Sequence, residues 1–113
     1  MKKIEVVFYP DAEEVHQKLI NSTSKKDKML LKAIDHKVEL IKQDIFYGNP
    51  IAKILIPAEY KSKYEVKSLF RVELPLFWRM LYSVTEDKNE IEIIAFVLDI
   101  VDHKKYNEKF KYK

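Results

Sequence analysis

The chain has 113 residues and a mass of 13.5 kDa, which suits one domain and is too short for two. Hydrophobic residues make up 47% of the sequence and charged residues 35%, which excludes a disordered chain. Cysteine is absent and the formal charge is +3, so disulfides, thiolate metal sites and cysteine nucleophiles are excluded and the basic balance is modest.

The N-terminal segment predicts a strand and then a helix. Residues 3–8 are rich in valine and isoleucine, which favours a strand. Pro10 suits the first turn of a helix, and acidic residues follow it where they complement the helix N-terminus. One face of this helix would be formed by Ala12, Val15, His16 and Leu19.

A second helix is predicted after the polar residues 21–24. Ser24 and Asp27 resemble a capping box. An apolar stripe follows at spacings of three and four residues, formed by Leu30, Ile34, Val38, Ile41 and Ile45. We expect the two helices to form an antiparallel hairpin whose apolar side packs on a sheet.

The rest of the chain predicts strands and a short closing helix. Residues 47–50 predict a turn, 51–56 a short strand and 57–63 a helical turn. Residues 69–74, 78–85 and 90–100 predict three strands, and 102–106 a helix. We therefore expect an α+β fold: an N-terminal strand, a helical hairpin on one face of a mostly antiparallel, roughly four-stranded sheet, and a short C-terminal helix.

Both arginines of the chain fall on one side of a predicted hairpin. If residues 75–77 connect the strands, the even positions form the core side: Phe70, Val72, Leu74, Trp78, Met80 and Tyr82. Arg71, Glu73 and Arg79 then share the opposite side with Leu81 and Ser83. This pattern indicates a functional site, and a solvated cross-strand ion pair would give it too.

The next predicted strand is apolar throughout residues 93–98, so both of its faces should be covered. Ile94, Phe96 and Leu98 would share the side of the arginines and give the site an apolar floor. Six apolar residues cannot span a bilayer, and no secretory pattern opens the sequence. We expect a cytoplasmic protein.

The C-terminal segment combines cations with aromatic rings. His103 and Tyr106 are three residues apart and would share a helix face. Lysines interleaved with rings are typical of RNA-contacting segments, and a frayed, solvated tail has the same composition. The residues concerned are Lys104, Lys105, Lys109, Lys111 and Lys113, with Tyr106, Phe110 and Tyr112.

No cofactor or metal ion is expected. The three histidines, His16, His36 and His103, lie in separate predicted elements without metal-ligand spacing. Gly48 is the single glycine of the sequence, which excludes a glycine-rich phosphate or dinucleotide loop.

Three segments of the sequence carry a family resemblance. They are Leu69-Phe-Arg-Val-Glu-Leu-Pro-Leu-Phe-Trp-Arg-Met-Leu-Tyr-Ser-Val, the apolar strand after it, and the closing Asp102-His-Lys-Lys-Tyr. They resemble the RelE/ParE superfamily of type II toxin–antitoxin toxins. The resemblance covers nearly the whole chain in outline and implies one domain over residues 1–113, with an inserted segment near 55–68.

The resemblance also implies site residues. Arg79 matches the arginine of an aromatic-Arg-x-x-Tyr motif that contacts the scissile phosphate in nuclease members. Arg71 and Glu73 match the preceding catalytic strand, and His103 and Tyr106 match the C-terminal catalytic pair. Further phosphate contacts are expected from Lys53, Lys104, Lys105 and Lys109.

The implied activity is metal-independent, ribosome-dependent cleavage of mRNA, with a cognate antitoxin protein as partner. A general base, a general acid and cations on the developing charge suffice for this chemistry. The superfamily also contains inhibitors of DNA gyrase and catalytically silent members that only bind an antitoxin. The inserted segment and the thinned arginine cluster depart from the better-known nucleases, so the sequence leaves these alternatives open.

Overall fold

A mixed sheet runs through the computed structural model, which describes residues 3–64, 66, 68–86 and 92–110. Its strand order is β1-β5-β4-β3-β2. The strands are β1 (Lys3–Phe8), β2 (Asn49–Pro50), β3 (Phe70–Glu73), β4 (Arg79–Glu86) and β5 (Glu92–Val101). The pairs β2–β3, β3–β4 and β4–β5 are antiparallel, whereas β1 runs parallel to β5.

Four α-helices accompany the described strands: α1 (Pro10–Ile20), α2 (Lys25–Gln43), α3 (Ala58–Tyr64) and α4 (His103–Phe110). Short 3-10 helices lie at Lys53–Leu55 and Pro75–Phe77. The predicted α+β class, helical hairpin and short C-terminal helix are confirmed. Over the residues the structure describes, no helix has both the length and the apolar character needed to cross a membrane.

The helical hairpin covers one face of the sheet, as the parity of the strands predicts. Leu30, Ile34 and Ile41 on α2 are at most 2% exposed. They belong to the same buried cluster as Met80 and Tyr82 on β4, which are fully buried. The other cluster members on β3 and its end are Phe70, Val72 and Leu74. Trp78, which was also predicted on the core side, is partly buried and packs against this cluster.

Ser24 caps α2, although the predicted capping box is only half formed. The Ser24 Oγ accepts the backbone N–H of Asp27 at 3.4 Å. The Asp27 carboxylate instead accepts the hydroxyl of Ser22 at 2.6 Å, so the reciprocal bond to the cap residue is replaced by one to the preceding turn.

The predicted strand over 51–56 is wrong. Ladder pairing covers only Asn49–Pro50, and residues 53–55 turn into a 3-10 helix. The backbone N–H of Ile51 still donates to the Leu69 carbonyl at 2.9 Å. Pro50 cannot donate to a ladder, which keeps this edge strand short.

The second face of the sheet carries its own small core. Tyr60 on α3 and Tyr106 on α4 are 2% and 1% exposed and pack with Leu81 and Val101 on the strands. Ile56, Val66 and Leu69 complete the cluster. The segment expected as an insertion therefore covers the same face on which the two arginines lie.

Candidate active site

Glu73 lies between the two arginines on the second face of the sheet. Its Oε1 is 3.0 Å from Arg71 Nε, and its Oε2 is 3.6 Å from Arg79 Nε. The Glu73 side chain is 54% exposed, whereas those of Arg71 and Arg79 are 30% and 14% exposed. The Glu73 carboxylate therefore lies on the solvent side of the two partly buried guanidinium groups.

The register of the hairpin explains this arrangement. Glu73 on β3 is directly opposite Arg79 on β4, and Arg71 is opposite Leu81. Alternate residues of a strand face the same side, so all three charged side chains lie on one surface. Glu73 and Arg79, which are directly opposite each other, are therefore close enough to form a cross-strand ion pair.

A tight turn holds Arg79 from the other side. Leu76 and Phe77 have φ of 60° and 61°, in the left-handed region that bulky residues seldom adopt. Such a conformation costs about 1–2 kcal/mol per residue. It directs the Phe77 carbonyl to Arg79, whose Nη1 donates to it at 2.7 Å.

Tyr106 on α4 supports both guanidinium groups. Its hydroxyl accepts a hydrogen bond from Arg71 Nη1 at 3.1 Å. The Arg79 Cζ lies 4.7 Å from the centroid of the Tyr106 ring. The Phe110 ring stacks on the Tyr106 ring, with 4.4 Å between the two centroids. Because the ring is 1% exposed and flanked on both sides, it cannot stack on a nucleobase. Its role in this geometry is to position the arginines.

His103 approaches Arg79 from the first turn of α4. Its Nδ1 is 3.4 Å from Arg79 Nη1, and its Nε2 is 3.2 Å from Asn107 Nδ2. Since a guanidinium only donates, Nδ1 is the acceptor and the proton of the neutral ring is assigned to Nε2. The Asn107 amide oxygen can accept that proton after a flip of the amide. His103 is exposed, which leaves it open to a bound molecule.

The predicted lysines do not all join this cluster. Lys104 and Lys105 are exposed on α4, and Lys53 is exposed at the start of the 3-10 helix that follows β2. Lys109 lies elsewhere: its Nζ is 2.8 Å from a Glu59 oxygen and 3.5 Å from an Asp99 oxygen. Its charge stabilises the packing of α4 and α3, which leaves it poorly placed to bind phosphate.

The carboxylate partners of Lys109 belong to a second polar cluster. The Tyr60 hydroxyl donates to Asp99 Oδ2 at 2.9 Å, and the Ile100 N–H donates to Asp99 Oδ1 at 3.1 Å. Burial lowers the pKa of Lys109, but its bond to Glu59 and the nearby Asp99 carboxylate outweigh burial and leave the pKa raised. Asp99 is 8% exposed and requires this cation.

The apolar floor that the structure describes beside the arginines comes from β4 and β5. A register shift between Leu81 and Tyr82 changes the parity along β5, so Asp99 pairs with Leu81 and Val101 with Arg79. Leu81 and Val101, both at most 2% exposed, lie beside the arginines. The side chains of Ile94, Phe96 and Leu98 lie outside what the structure describes. An irregularity of one residue is invisible in the alternation of the sequence.

Two contacts of aromatic residues were not predicted from the sequence. Phe77 is 73% exposed, and its ring centroid is 5.9 Å from that of His103. Tyr82, buried on the other face, donates to the Ile45 carbonyl at 2.8 Å and accepts the Gly48 N–H at 2.9 Å. The final aromatic of the Arg-x-x-Tyr pattern therefore anchors the turn after α2, and a motif spacing alone does not reveal that partner.

Comparison with protein-family models, with curated proteins and with solved structures gives no match for this chain. The geometry of the residues is therefore the basis for any functional conclusion.

The cluster can bind an anion and move a proton. Among the residues that the structure describes, the two guanidinium groups share one carboxylate, which is the most exposed of the three side chains. The Arg79 Nε–H is buried without a hydrogen bond to any described residue, so the group retains donor capacity. Guanidinium groups suit phosphate oxygens, and Glu73 and His103 can accept or donate protons beside them.

Proposed function

We propose that this chain is the toxin of a type II toxin–antitoxin system and that it cleaves mRNA on the ribosome without a metal ion. One observation carries the proposal: Glu73 bridges Arg71 and Arg79, and His103 lies 3.4 Å from Arg79. An acid, a base and a pair of phosphate-binding cations are what metal-free RNA cleavage requires.

In the proposed reaction the 2′-hydroxyl of a nucleotide attacks the adjacent phosphorus. The new bond joins O2′ to phosphorus and the bond to O5′ breaks, which leaves a 2′,3′-cyclic phosphate and a 5′-hydroxyl. Glu73 takes the proton of the 2′-hydroxyl. Once Arg79 turns to the phosphate, His103 Nδ1 is free to take a proton, and the cationic ring supplies one to the leaving oxygen. Arg71 and Arg79 stabilise the charge that develops on the non-bridging oxygens.

Glu73 has a second role before RNA binds. Its carboxylate occupies the place beside both arginines where a phosphate group would lie. With a 54% exposed side chain it can turn aside when a phosphate enters, and its release also frees it to act as the base. The ion pair thus keeps the arginines in place in the free protein.

The partner in this proposal is an antitoxin protein that covers the same face. Arg71 and Arg79 give that face a positive charge, so the antitoxin segment that covers it should be acidic. Co-expression with the neighbouring reading frame tests this: a stable complex in which cleavage is suppressed is expected.

The deciding experiment is translation with purified ribosomes and a defined mRNA. Arg79→Lys keeps the charge but loses the planar fork, and we expect cleavage to slow by roughly two orders of magnitude. Lys18→Ala is the matched control, because it removes a cation whose ion pair with Glu14 is fully on the surface. It should cleave like the wild type.

Glu73→Gln separates catalysis from binding. The variant removes the competing negative charge, so RNA should bind more tightly while cleavage is lost. Intact mRNA with the wild-type protein, together with stalled DNA gyrase, would contradict the nuclease proposal and favour gyrase inhibition. Intact mRNA and unaffected gyrase would favour a silent antitoxin-binding member.

A further inference from the structure

Phe77 presents an apolar ring to solvent beside the candidate site. At 73% exposure it is the most exposed aromatic side chain that the described residues contain. The turn that carries it lies between β3 and β4, two residues before Arg79. Exposure of a large apolar ring is unfavourable in water, so a ring held in this position calls for an explanation.

The turn fixes the ring rather than leaving it loose. Backbone hydrogen bonds join Leu74 N to Trp78 O at 2.9 Å and Trp78 N to Pro75 O at 3.3 Å. Leu76 and Phe77 are both in the left-handed region, and the Phe77 carbonyl accepts from Arg79 at 2.7 Å. Unfavourable backbone conformations of this kind concentrate at functional sites.

The position of the ring relates it directly to the predicted chemistry. Its centroid is 5.9 Å from that of His103, with 55° between the planes. The guanidinium group of Arg79, which would hold the phosphate, donates a hydrogen bond to the carbonyl of Phe77. A nucleotide whose phosphate lies on Arg79 would therefore have an aromatic surface within reach of its base.

We propose that Phe77 is a substrate-binding residue that stacks on a nucleobase of the bound RNA, next to the phosphate held by Arg79. This inference rests on the proposed function and names the RNA contact that the function needs. The alternative ring, Tyr106, is 1% exposed and lies between Arg79 and Phe110. Stacking on a π-face is tolerant of base identity, so the contact would give affinity more than sequence preference.

The test uses stacking itself as the signal. Ribosomes are stalled on a short mRNA that carries 2-aminopurine in place of adenine and 2′-O-methyl groups that block cleavage. Stacking quenches 2-aminopurine fluorescence, so the wild-type protein should quench it on binding. Phe77→Ala and Phe77→Leu should lose the quench and bind roughly 5- to 150-fold more weakly, whereas Phe77→Tyr should retain both.

Phe46→Ala is the matched control. Phe46 is 66% exposed, and its ring centroid is 5.9 Å from that of Phe70, on the helix side of the sheet. Its loss should leave quenching and affinity at the wild-type level. On unmodified mRNA, Phe77→Ala should raise KM with a much smaller change in kcat, because stacking binds substrate and transition state alike.

The outcomes separate the two proposals. Normal cleavage by the wild type, with equal quenching by wild type and Phe77→Ala, would overturn the stacking inference and leave the nuclease proposal standing. No cleavage and no binding by the wild type would overturn both. Binding with quenching but no cleavage of unmodified mRNA would uphold stacking on RNA and reject the nuclease.

Discussion

Replacement of Tyr82 by phenylalanine should destabilise the protein by about 2–3 kcal/mol. The Tyr82 hydroxyl is fully buried, donates to the Ile45 carbonyl and accepts the Gly48 N–H. A buried polar group left without its partner costs about 1–3 kcal/mol, and two such groups near the low end of that range give this loss. Tyr47→Phe is the control: it removes a hydroxyl contact with Lys37 at the surface, and about 0.5 kcal/mol or less should be lost.

Urea unfolding followed by the fluorescence of Trp78, the single tryptophan, measures both variants. Burial raises the pKa of Tyr82, against a lowering effect of the bond from Gly48, and the nearby Asp44 adds to the rise. The stability due to the protonated hydroxyl is complete below the ordinary pKa of about 10 and is lost as pH rises through the raised value. The difference between wild type and Tyr82→Phe should therefore shrink above pH 10. Equal losses in Tyr82→Phe and Tyr47→Phe at pH 7 would refute this reasoning.

Three further results are expected. Gly48→Ala should lower the free energy of unfolding by about 1–3 kcal/mol, because the new Cβ would lie 2.9 Å from a Tyr82 ring carbon; a thermal melt measures it. Lys109→Met should cost about 1–2 kcal/mol by leaving Asp99 without its cation, and since the Lys109 pKa is raised, that cost should fade as pH rises above 10.5. Lys104→Gln should reduce the slope of log affinity for single-stranded RNA against log salt by about 0.7, as one phosphate contact is lost; an unchanged slope in a titration would remove that lysine from the interface.

The sequence predicted which of these side chains lie on one surface, because their placement depends on local rules. Alternation along two short strands joined by a tight turn puts Arg71, Glu73 and Arg79 on one surface. Helical spacing puts His103 and Tyr106 on one side of α4. Neither rule involves a distant partner, so both could be applied without knowledge of the fold.

The features that the sequence did not reveal have the opposite origin. Lys109 forms ion pairs with Glu59 and Asp99, which come from the distant elements α3 and β5. The parity along β5 changes at an irregularity opposite Leu81 and Tyr82, which no alternation pattern announces. The display of Phe77 depends on two left-handed residues in a turn, where sequence favours glycine or asparagine.

The parallel pairing of β1 with β5 has a consequence for how the chain acquires its structure. Lys3 pairs with Glu92, so the first strand must wait for a segment 89 positions later in the chain. Contacts over such separations are slow to form because a large loop must close first. His103 and Tyr106 follow that late strand directly. During synthesis the arginines of the hairpin are therefore made before the residues that complete their surroundings, and a chain interrupted before α4 would have the cations without the histidine.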